Sequence, residues 1–433
     1  MSAVRGARER PMELLHPGDA GYDQARIVWN AMIDRRPAVI ARCHGTADVA
    51  AAVRYARSEG LEIGVKCGGH SITGHAVPDG GLMIDLSPMS AVSVDPDAKL
   101  ARIQGGALLG ELDRATQKYG LATTAGNVSH TGVGGLTLGG GMGWLARMHG
   151  LACDNVARYE VVTADGEVVT ASATENADLF WGLRGGGGNF GIVTEFEFRL
   201  HDIGTRTLLA EFGFGVDEGF DVLRAWRDLN ATASRRATFK AYLAHQELVL
   251  GFVWIGDPAE AAGLVEAFRG LGTVVAESIE EMSYLALQTR EDSLQGHRYR
   301  RYWKGHYFSD LSDDAIRALL DVVPGTAASL QAYGGAIADV PEDDAAFSHR
   351  DTQYEFVSSL RWDDAAEDAD RMAAVREYAG RQEPYTVGQY VNTLNNEGVG
   401  RAYSPGKLAR LTALKAKYDP ANVFHLNQNI RPA

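Results

Sequence analysis

The residues with the clearest chemical meaning are three clusters of glycine in the first half of the chain. They occupy residues 68–71 (GGHS), residues 132–141 (GVGGLTLGGG) and residues 185–191 (GGGGNFG). Consecutive glycines let several backbone N–H groups converge on one anion, such as a pyrophosphate, because no Cβ atom stands in the way. One such cluster is explained equally well as a tight turn. Three clusters in one region favour a cofactor that carries phosphate groups.

The third cluster contains a GxGxxG pattern at Gly186, Gly188 and Gly191, but its context argues against a Rossmann NAD site. That fingerprint needs a strand before the glycines and a helix after them. Here the helix-like run ADLFWGLR precedes the glycines, and the alternation of apolar and charged residues over 194–200 predicts a strand after them. The phosphates must therefore be held by another kind of fold.

The elements that position these glycines predict an α+β fold with two regions. In the first region, residues 61–66 and 82–86 have the pattern of short strands, residues 107–119 predict a helix, and Asp165-Gly166 predicts a two-residue hairpin turn. In the second region, residues 204–384, longer strand-like runs alternate with amphipathic helices. This pattern is typical of a broad antiparallel sheet that helices cover on one face, which leaves the other face free for a ligand.

Length and composition exclude several classes of protein. The 433 residues predict two or three domains, or one large enzyme of two lobes. With 45% hydrophobic and 23% charged residues the chain is not intrinsically disordered, and its net charge of −14 argues against nucleic acid or an anionic membrane as partner. No run of 18 apolar residues occurs, so we expect a soluble, cytoplasmic protein. The three cysteines are too widely spaced for a metal cluster, and we expect no metal.

The order of these motifs resembles the FAD domain of the vanillyl-alcohol oxidase and p-cresol methylhydroxylase (PCMH) superfamily. The similar runs are residues 66–71, 80–86, 132–141, 150–155 and 185–191. The C-terminal residues, with Tyr390, Asn392 and the run 418–428, are similar to the last segment of berberine-bridge-enzyme-like oxidases. The resemblance implies four parts: an N-terminal extension (1–33), a PCMH-type FAD-binding domain (34–203), a substrate domain on an antiparallel sheet covered by helices (204–384), and a C-terminal segment that returns to the FAD domain (385–433).

The resemblance implies that FAD lies between the two lobes with its isoalloxazine ring towards the antiparallel sheet. His70 falls on the family's histidine that commonly carries the flavin covalently at its 8α-methyl group. The residues that we expect to contact the cofactor are Lys66, Cys67, Gly68, Gly69, His70, Ser71, Ser129, Thr131, Gly132, Gly134, Gly135, Gly140, Asp154, Gly188, Gly191, Ile192, Val193, Asn427 and Gln428.

The chain departs from the family at two positions. Many relatives attach the flavin a second time through the cysteine of a Cys-Pro-Thr-Val-Gly run, where this chain has Val128 in the run VSHTG. Valine cannot form the thioether, so we expect one covalent link, through His70. Relatives often carry a tyrosine, sometimes as catalytic base, where this chain has Thr393, which leaves the identity of the base open. Thr131, the residue before Gly132, either leaves room for O₂ or satisfies the turn with its hydroxyl group.

The catalytic candidates are Tyr390, Asn392 and His130, although His130 is equally well explained as a hydrogen-bonded turn residue. Further polar candidates on the substrate sheet are Tyr302, Lys304, His306, Tyr354 and Arg361, and strand tyrosines are more often packing residues. We expect His75 to have a structural role or to lie on the surface, and we expect Cys67 and Cys153 to be unreactive.

These residues together predict an FAD-dependent oxidoreductase. It would take a hydride from a C–H bond next to an alcohol, an amine or an activated carbon of a small organic substrate, and O₂ would accept the electrons. Two alternatives stay open: a dehydrogenase that uses another electron acceptor, and a flavin-binding redox protein without turnover.

Overall fold

The first lobe is an α+β unit of short elements. The protein is described by a computed structural model that covers residues 12–294 and 296–433. The strands of this lobe are β1 (Glu13–Leu15), β2 (Val39–Arg42), β3 (Ile63–Lys66), β4 (Leu82–Asp85), β5 (Val92–Asp95), β6 (Leu100–Gln104), β7 (Leu121–Ala122), β8 (Val156–Val162), β9 (Val168–Ser172), β10 (Ile192–Arg199) and β11 (His201–Asp202). Its helices are α1 (Tyr22–Ala25), α2 (Thr46–Glu59), α3 (Leu109–Thr116), α4 (Val133–Leu138), α5 (Ala146–His149) and α6 (Ala177–Leu183).

Two main sheets form this lobe. The order of the first is β1-β2-β4-β3, and β2, β4 and β3 are parallel because α2 forms the crossover between β2 and β3. The second sheet, β5-β6-β10-β8-β9, is antiparallel. Along β10, Phe196 and Phe198 are buried as the alternation predicts. The helix before the third glycine cluster and the strand after it are therefore both confirmed.

Two turn predictions in this lobe had different outcomes. The helix after residue 107 ends at Gly120, whose φ of 67° lies in the left-handed region, as predicted. The strands on either side of Asp165-Gly166 do pair as a hairpin, but Val162 pairs with Val168, so the turn is longer than two residues. The two-residue turn was therefore a wrong prediction, because Gly166 fills one position of a longer loop.

The second lobe is built on one seven-stranded antiparallel sheet. Its strands are β12 (Arg206–Phe214), β13 (Ala237–Ala244), β14 (Glu247–Ile255), β15 (Val274–Ser283), β16 (Arg300–Phe308), β17 (Ala327–Ala332) and β18 (Tyr354–Trp362), in the order β15-β12-β14-β13-β17-β18-β16. Its helices are α7 (Gly219–Thr232), α8 (Ala262–Arg269), α9 (Tyr284–Thr289), α10 (Asp313–Leu320), α11 (Ala336–Asp339) and α12 (Asp368–Gln382). The broad antiparallel sheet is confirmed.

The two faces of this sheet differ in chemistry. On one face, alternate strand residues such as Phe239 and Phe356 pack against α7, α8, α10 and α12 through residues such as Trp226, Phe268 and Tyr378. Each fully buried aromatic side chain of this kind stabilises the fold by about 1.5–3 kcal/mol. The other face turns towards the first lobe. Helices thus cover one face of the sheet, and the polar residues of the other face are free to contribute to a site.

The C-terminal segment packs against the third glycine cluster. Helix α13 (Pro405–Tyr418) begins after Ser404, whose hydroxyl group accepts a hydrogen bond from the Lys407 amide at 3.4 Å. Near its end, the buried ammonium group of Lys415 forms an ion pair with Asp419 at 2.6 Å and donates to the Asn189 carbonyl at 2.8 Å. These bonds hold residues 419–428 beside the glycines of residues 185–191.

The residues before 34 are not a separate appendage where the structure describes them. Strand β1 pairs with β2, and Tyr22 is buried against the first sheet. Residues 1–11 lie outside the described part of the chain. Among the described residues, no helix has both the length and the apolar character needed to cross a bilayer.

Candidate active site

A cavity of about 480 Å³ lies between the two lobes, within the usual range for small-molecule and cofactor sites. The three glycine clusters form its wall on the first lobe. Strand β16 contributes Trp303, and the C-terminal segment contributes residues 390–394 and 426–428. Each predicted part of the molecule thus reaches the same cavity.

The glycines allow two loops to pack backbone against backbone. A Cβ atom on Gly68 would overlap the amide nitrogen of Gly132, and a Cβ atom on Gly132 would overlap Cys67 and the Gly68 amide. Gly69 and Gly191 have φ values of 66° and 158°, which only glycine adopts without strain. These positions therefore require glycine, and the backbone rather than the side chains forms the wall.

Unsatisfied polar atoms at the cavity indicate that it binds a polar molecule. The Oδ1 atom of Asn427 and the Nε1 atom of Trp303 are buried without a hydrogen-bond partner among the described residues, and both residues line the cavity. Buried polar groups are nearly always paired, so these atoms are expected to find partners on a ligand. The glycine walls and these atoms fit a cofactor with phosphates and a polar ring system.

His70 lies in the cavity wall with a fixed ring orientation. Its ring stacks on Trp29 with a centroid distance of 4.8 Å and an interplanar angle of 12°. Its Nε2 atom shares a hydrogen bond of 2.7 Å with Nδ1 of His130, while Nδ1 lies 3.3 Å from the Thr131 hydroxyl group. Burial, and then the neighbouring His130 and His297, hold the pKa of His70 well below 6.5. The imidazole is therefore neutral at pH 7, the form that acts as a nucleophile.

The surroundings of this histidine cluster are positively charged. Ring nitrogens of His70, His130 and His297 lie within 4.8 Å of one another, an arrangement that could hold a metal ion. Burial is the first cause that lowers the pKa of all three histidines, and the charge of Arg301 lowers each of them further, while Asp292 acts in the opposite direction on His130 alone. Because Arg301 is the charge that acts on all three, we assign no metal to the cluster.

Tyr390 and Asn392 form a connected pair at the opposite wall. The Tyr390 hydroxyl group accepts hydrogen bonds from the Gly141 amide at 2.7 Å and from Asn392 Nδ2 at 2.8 Å. Burial, and next the charge of Glu355, raise the pKa of Tyr390 above its ordinary value of 10. Tyr390 therefore stays protonated at neutral pH, and its hydroxyl group is fixed by two donors.

Glu355 is a buried acid close to these tyrosines. It lies on β18, on the sheet face that turns towards the first lobe, and it accepts a 2.8 Å hydrogen bond from the Tyr333 hydroxyl group. Burial raises the pKa of Glu355 to about 7. Its carboxyl group therefore changes protonation state near neutral pH, which Tyr390 does not.

Similarity to known proteins agrees with this geometry. A family model described as FAD binding domain matches residues 37–172, and one described as berberine and berberine like matches residues 389–431. The (R)-6-hydroxynicotine oxidase of Paenarthrobacter nicotinovorans is 31% identical over 97% of this chain and 96% of its own length. The chain belongs to the berberine-like FAD-linked oxidoreductases.

Solved structures of this oxidoreductase family share the whole fold. A berberine-bridge-enzyme-like protein of Physcomitrella patens superposes with a TM-score of 0.90 at 25% identity, with 97% of both chains covered. Glucooligosaccharide oxidase of Acremonium strictum superposes with a TM-score of 0.88 at 29% identity over 98% of this chain and 97% of its own. That enzyme is described with a 6-S-cysteinyl, 8α-N1-histidyl FAD. The predicted family, the two-lobed fold and the assignment as an enzyme are confirmed.

Most of the residues predicted to hold the cofactor of this oxidoreductase line the cavity. They come from all three glycine clusters and from the C-terminal segment: Cys67, Gly68, Gly69, His70, Ser71, Thr131, Gly132, Gly134, Gly135, Gly188, Gly191, Ile192, Val193, Asn427 and Gln428. Two of the three catalytic candidates, Tyr390 and Asn392, line it as well.

Other predicted site residues lie outside the cavity wall. The Lys66 ammonium group donates to the Ala25 carbonyl at 2.6 Å. The Ser129 hydroxyl group donates to Asp292 at 2.6 Å, and Asp154 forms a buried ion pair with Arg350 at 2.6 Å. These three side chains are bound elsewhere, because the motifs fix the loop and not the direction of each side chain.

Two further predicted site residues, Gly140 and His130, also lie outside the cavity wall. Gly140 packs against Phe347, where a Cβ atom would clash with the ring. His130 does not line the cavity; it reaches the site through its bond to His70, and its Nε2 atom has no hydrogen-bond partner among the described residues. Neither of the two roles predicted for His130 included this contact.

The candidates on the sheet were placed on the wrong face in most cases. Tyr302 and Tyr354 belong to clusters beneath the covering helices, and His306 stacks on Phe356 in the same layer. Lys304 forms an ion pair with Glu397 at 2.9 Å. Along β18, Arg361 is an odd number of residues from Tyr354 and Trp362, so its side chain lies on the opposite face of the sheet. Of these candidates, Arg361 alone faces the first lobe.

Several residues of the site were missed. Trp29 lines the cavity and was missed because it precedes the first clear motif. Trp303, which lines the cavity, and Glu355, which lies on the same sheet face outside the wall, were missed because their face depends on a register that one sequence does not reveal. His75 was expected to have a structural role or to lie on the surface, but it lines the cavity, and burial lowers its pKa to about 4. For Trp303, the sequence signal was the alternation along β16. Arg301, Trp303 and Tyr307 are separated by even numbers of residues and therefore share one face of the strand.

Proposed function

We propose that this oxidoreductase oxidises a C–H bond next to an alcohol, an amine or an activated carbon of a small organic substrate, with O₂ as the electron acceptor. The observation that carries the proposal is the meeting of His70, Tyr390 and Asn392 in one cavity between a glycine-walled lobe and a polar sheet face. Bound FAD would supply the hydride acceptor and the route of the electrons to O₂. Relatives are named as oxidases of 6-hydroxynicotine and of glucooligosaccharides, so the family serves chemically different donors.

FAD is attached once, through His70. The stack on Trp29 fixes the ring, and the 2.7 Å bond to His130 engages Nε2, which leaves Nδ1 with only the longer contact to Thr131. Val128 lines the cavity but has no thiol group. Cys67 also lines the cavity, yet burial raises the pKa of its thiol to about 11, so it is not a thiolate at neutral pH.

Tyr390, Asn392 and Glu355 have different roles towards the substrate. Tyr390 and Asn392 orient the donor group, because their polar atoms are fixed by hydrogen bonds at the cavity wall. Glu355 does not line the cavity, but its charge acts on Tyr390; with a pKa of about 7 it is partly ionised at neutral pH, and we assign to it the uptake of the proton that the donor group loses. Tyr390, with its raised pKa, keeps its own proton.

Thr131 supports the choice of O₂ as acceptor. It lines the cavity beside His70, and its side chain is no larger than valine and smaller than leucine. The test is stopped-flow kinetics: a donor bleaches the yellow holoenzyme without air, and aerated buffer then restores the colour. We expect reoxidation within seconds, slowed at least about tenfold (~1.4 kcal/mol) by Thr131→Leu but not by the isosteric Thr131→Val. Reoxidation over many minutes that Thr131→Leu does not change would make the protein a dehydrogenase.

A further inference from the structure

Two arginines stand directly opposite each other on neighbouring strands at one end of the cavity. In the register of β16 and β18, Arg301 pairs with Arg361, and the next pair on the same face is Trp303 with Ser359. Side chains in such a pair start about 4.5–5.5 Å apart, and like charges in directly opposite positions destabilise a sheet. Trp303 lines the cavity, so the arginine pair adjoins it.

A third arginine completes a cluster around one aromatic ring. The guanidinium groups of Arg298, Arg301 and Arg361 lie 4.6, 5.5 and 5.7 Å from the centre of the Tyr299 ring. Arg301 also lies 3.9 Å above the ring of Trp29, the residue that stacks on His70. The cluster therefore reaches from the sheet edge to the histidine that we assign to flavin attachment.

Acidic side chains do not neutralise Arg361, although the chain carries an excess of acids. Within the described residues, Arg361 forms no ion pair, and its one hydrogen bond goes to the Leu294 carbonyl at 2.9 Å. Arg298 donates a hydrogen bond to the Tyr299 hydroxyl group, and Asp363 attracts it only at longer range. Burial, and next the charge of Arg361, lower the pKa of Arg301 to about 10, which shows how close the two positive charges are.

Arg301 is buried and its guanidinium group donates to the carbonyls of Trp29 and Gly296, whereas Arg361 beside it is exposed. An anion therefore has access to Arg361, and its binding would relieve the opposition of the two charges. A guanidinium group offers a planar fork of N–H donors that matches a carboxylate. We infer that Arg361, supported by Arg301, binds a carboxylate group of the substrate at the Trp303 end of the cavity. This inference rests on the proposed function and adds the substrate class: a small donor that carries a carboxylate.

The test uses benzoate as the probe and the holoenzyme as it is isolated. Benzoate should perturb the flavin absorption and raise the unfolding temperature, whereas benzamide, its uncharged counterpart of the same shape, should do neither. Arg361→Gln should weaken benzoate binding at least about tenfold, because it removes a charge-assisted pair of hydrogen bonds. Arg361→Lys, which keeps the charge but not the fork, should recover part of the affinity.

Arg376→Gln is the matched control, because Arg376 on α12 lies over Tyr302, on the helix-covered face of the same sheet. It should leave benzoate binding unchanged. A purely structural role of Arg361 predicts a lower unfolding temperature for Arg361→Gln without ligand, whereas our inference predicts an equal or higher one. Equal benzoate affinity in Arg361→Gln and the unchanged protein, or equal affinity for inorganic phosphate, would overturn the carboxylate site. Neither result depends on turnover, so the proposed oxidation is judged separately by donor bleaching.

Discussion

The glycine loops of the first lobe and the open face of the seven-stranded sheet border the same cavity, but they are built in opposite ways. The loops contribute backbone: Gly68 and Gly132 approach so closely that neither position has room for a Cβ atom. The sheet contributes side chains whose direction follows from strand register: Trp303 lines the cavity, and Glu355 and Arg361 lie on the same face of the sheet without lining it.

This difference separates two tasks. A wall of backbone N–H groups depends little on side-chain identity and suits a constant ligand such as a cofactor. A sheet face can change one side chain at a time without disturbing the covered face, which suits a variable substrate. The loops should therefore tolerate almost no substitution, while the sheet face should change pH dependence and specificity with little loss of fold.

The largest expected effect is at His70, on the loop side. His70→Ala should abolish covalent flavin, because Cys67 is not a thiolate at neutral pH and the other neutral imidazole in the wall, His75, lacks the stack on Trp29 and the bond to His130 that orient His70. Flavin fluorescence of the denatured polypeptide measures this directly. His75→Ala is the control, since His75 lines the same cavity but does not share the bond to His130. A flavin adduct on a Cys67 peptide, or none on the His70 peptide, would contradict the assignment.

The next largest effect is at Glu355, on the sheet side. A base must be ionised to accept a proton, so the rate of flavin reduction should rise with pH through about 7, the pKa of Glu355. Glu355→Gln should remove that rise and lower the rate by roughly 10² to 10⁴-fold, measured by anaerobic stopped-flow between pH 5 and 9.

Glu211→Gln is the control for Glu355, because Glu211 is on the same sheet and its ion pair with Lys240 at 2.6 Å helps to keep its pKa low. Its pH profile should match that of the unchanged protein. If Glu355→Gln keeps the normal profile and Tyr390→Phe loses it, Tyr390 is the proton acceptor instead.

A smaller effect tests the backbone wall. Gly132→Ala forces a Cβ atom onto the Gly68 amide and should lower the free energy of unfolding by about 1–3 kcal/mol. Gly263→Ala, in the first turn of α8 with open space around it, should instead be neutral or stabilise by about 0.5–1 kcal/mol. Urea unfolding measures both, and equal losses in the two variants would refute the close packing of the loops.

The smallest effect is at the junction of the lobes away from the cavity. Asp113 on α3 accepts a hydrogen bond from Gln288 on α9 at 3.1 Å, and burial raises its pKa to about 7. Because the folded-state pKa lies above the unfolded value, the folded protein keeps a proton that the unfolded chain releases. Stability from this group is therefore present at low pH and lost as pH rises from about 4 to 7.

Asp113→Asn removes this loss of stability at higher pH, because asparagine does not titrate. It should raise the free energy of unfolding at pH 8 by roughly 1–3 kcal/mol and leave it unchanged at pH 4, as urea unfolding at the two pH values will show. A stabilisation of equal size at both pH values would mean that packing, not protonation, is responsible.

The difference between the backbone-built loops and the side-chain-built sheet face also explains which features the sequence could predict. The glycine clusters, His70 and the Tyr390–Asn392 pair could be predicted to lie together, and they do line one cavity, because backbone-built loops require particular residues in a particular order. Tyr302, His306 and Tyr354 were assigned to the wrong face because a strand shifted by one residue presents the other set of side chains. Trp29 and Glu355 carry no local pattern, so only tertiary contacts reveal them.

The ion pair between Lys415 and Asp419 has a consequence for how the enzyme is made. Lys415 also donates to the Phe424 carbonyl, shortly before Asn427 and Gln428, which line the cavity, and Trp29 lines it from the N-terminal part of the chain. The binding site is thus complete only when both ends of the polypeptide have folded onto the first lobe, a closure of high contact order that forms late. With the covalent attachment proposed above, a denatured polypeptide that stays yellow is one in which Trp29 and the C-terminal segment had already packed onto the first lobe.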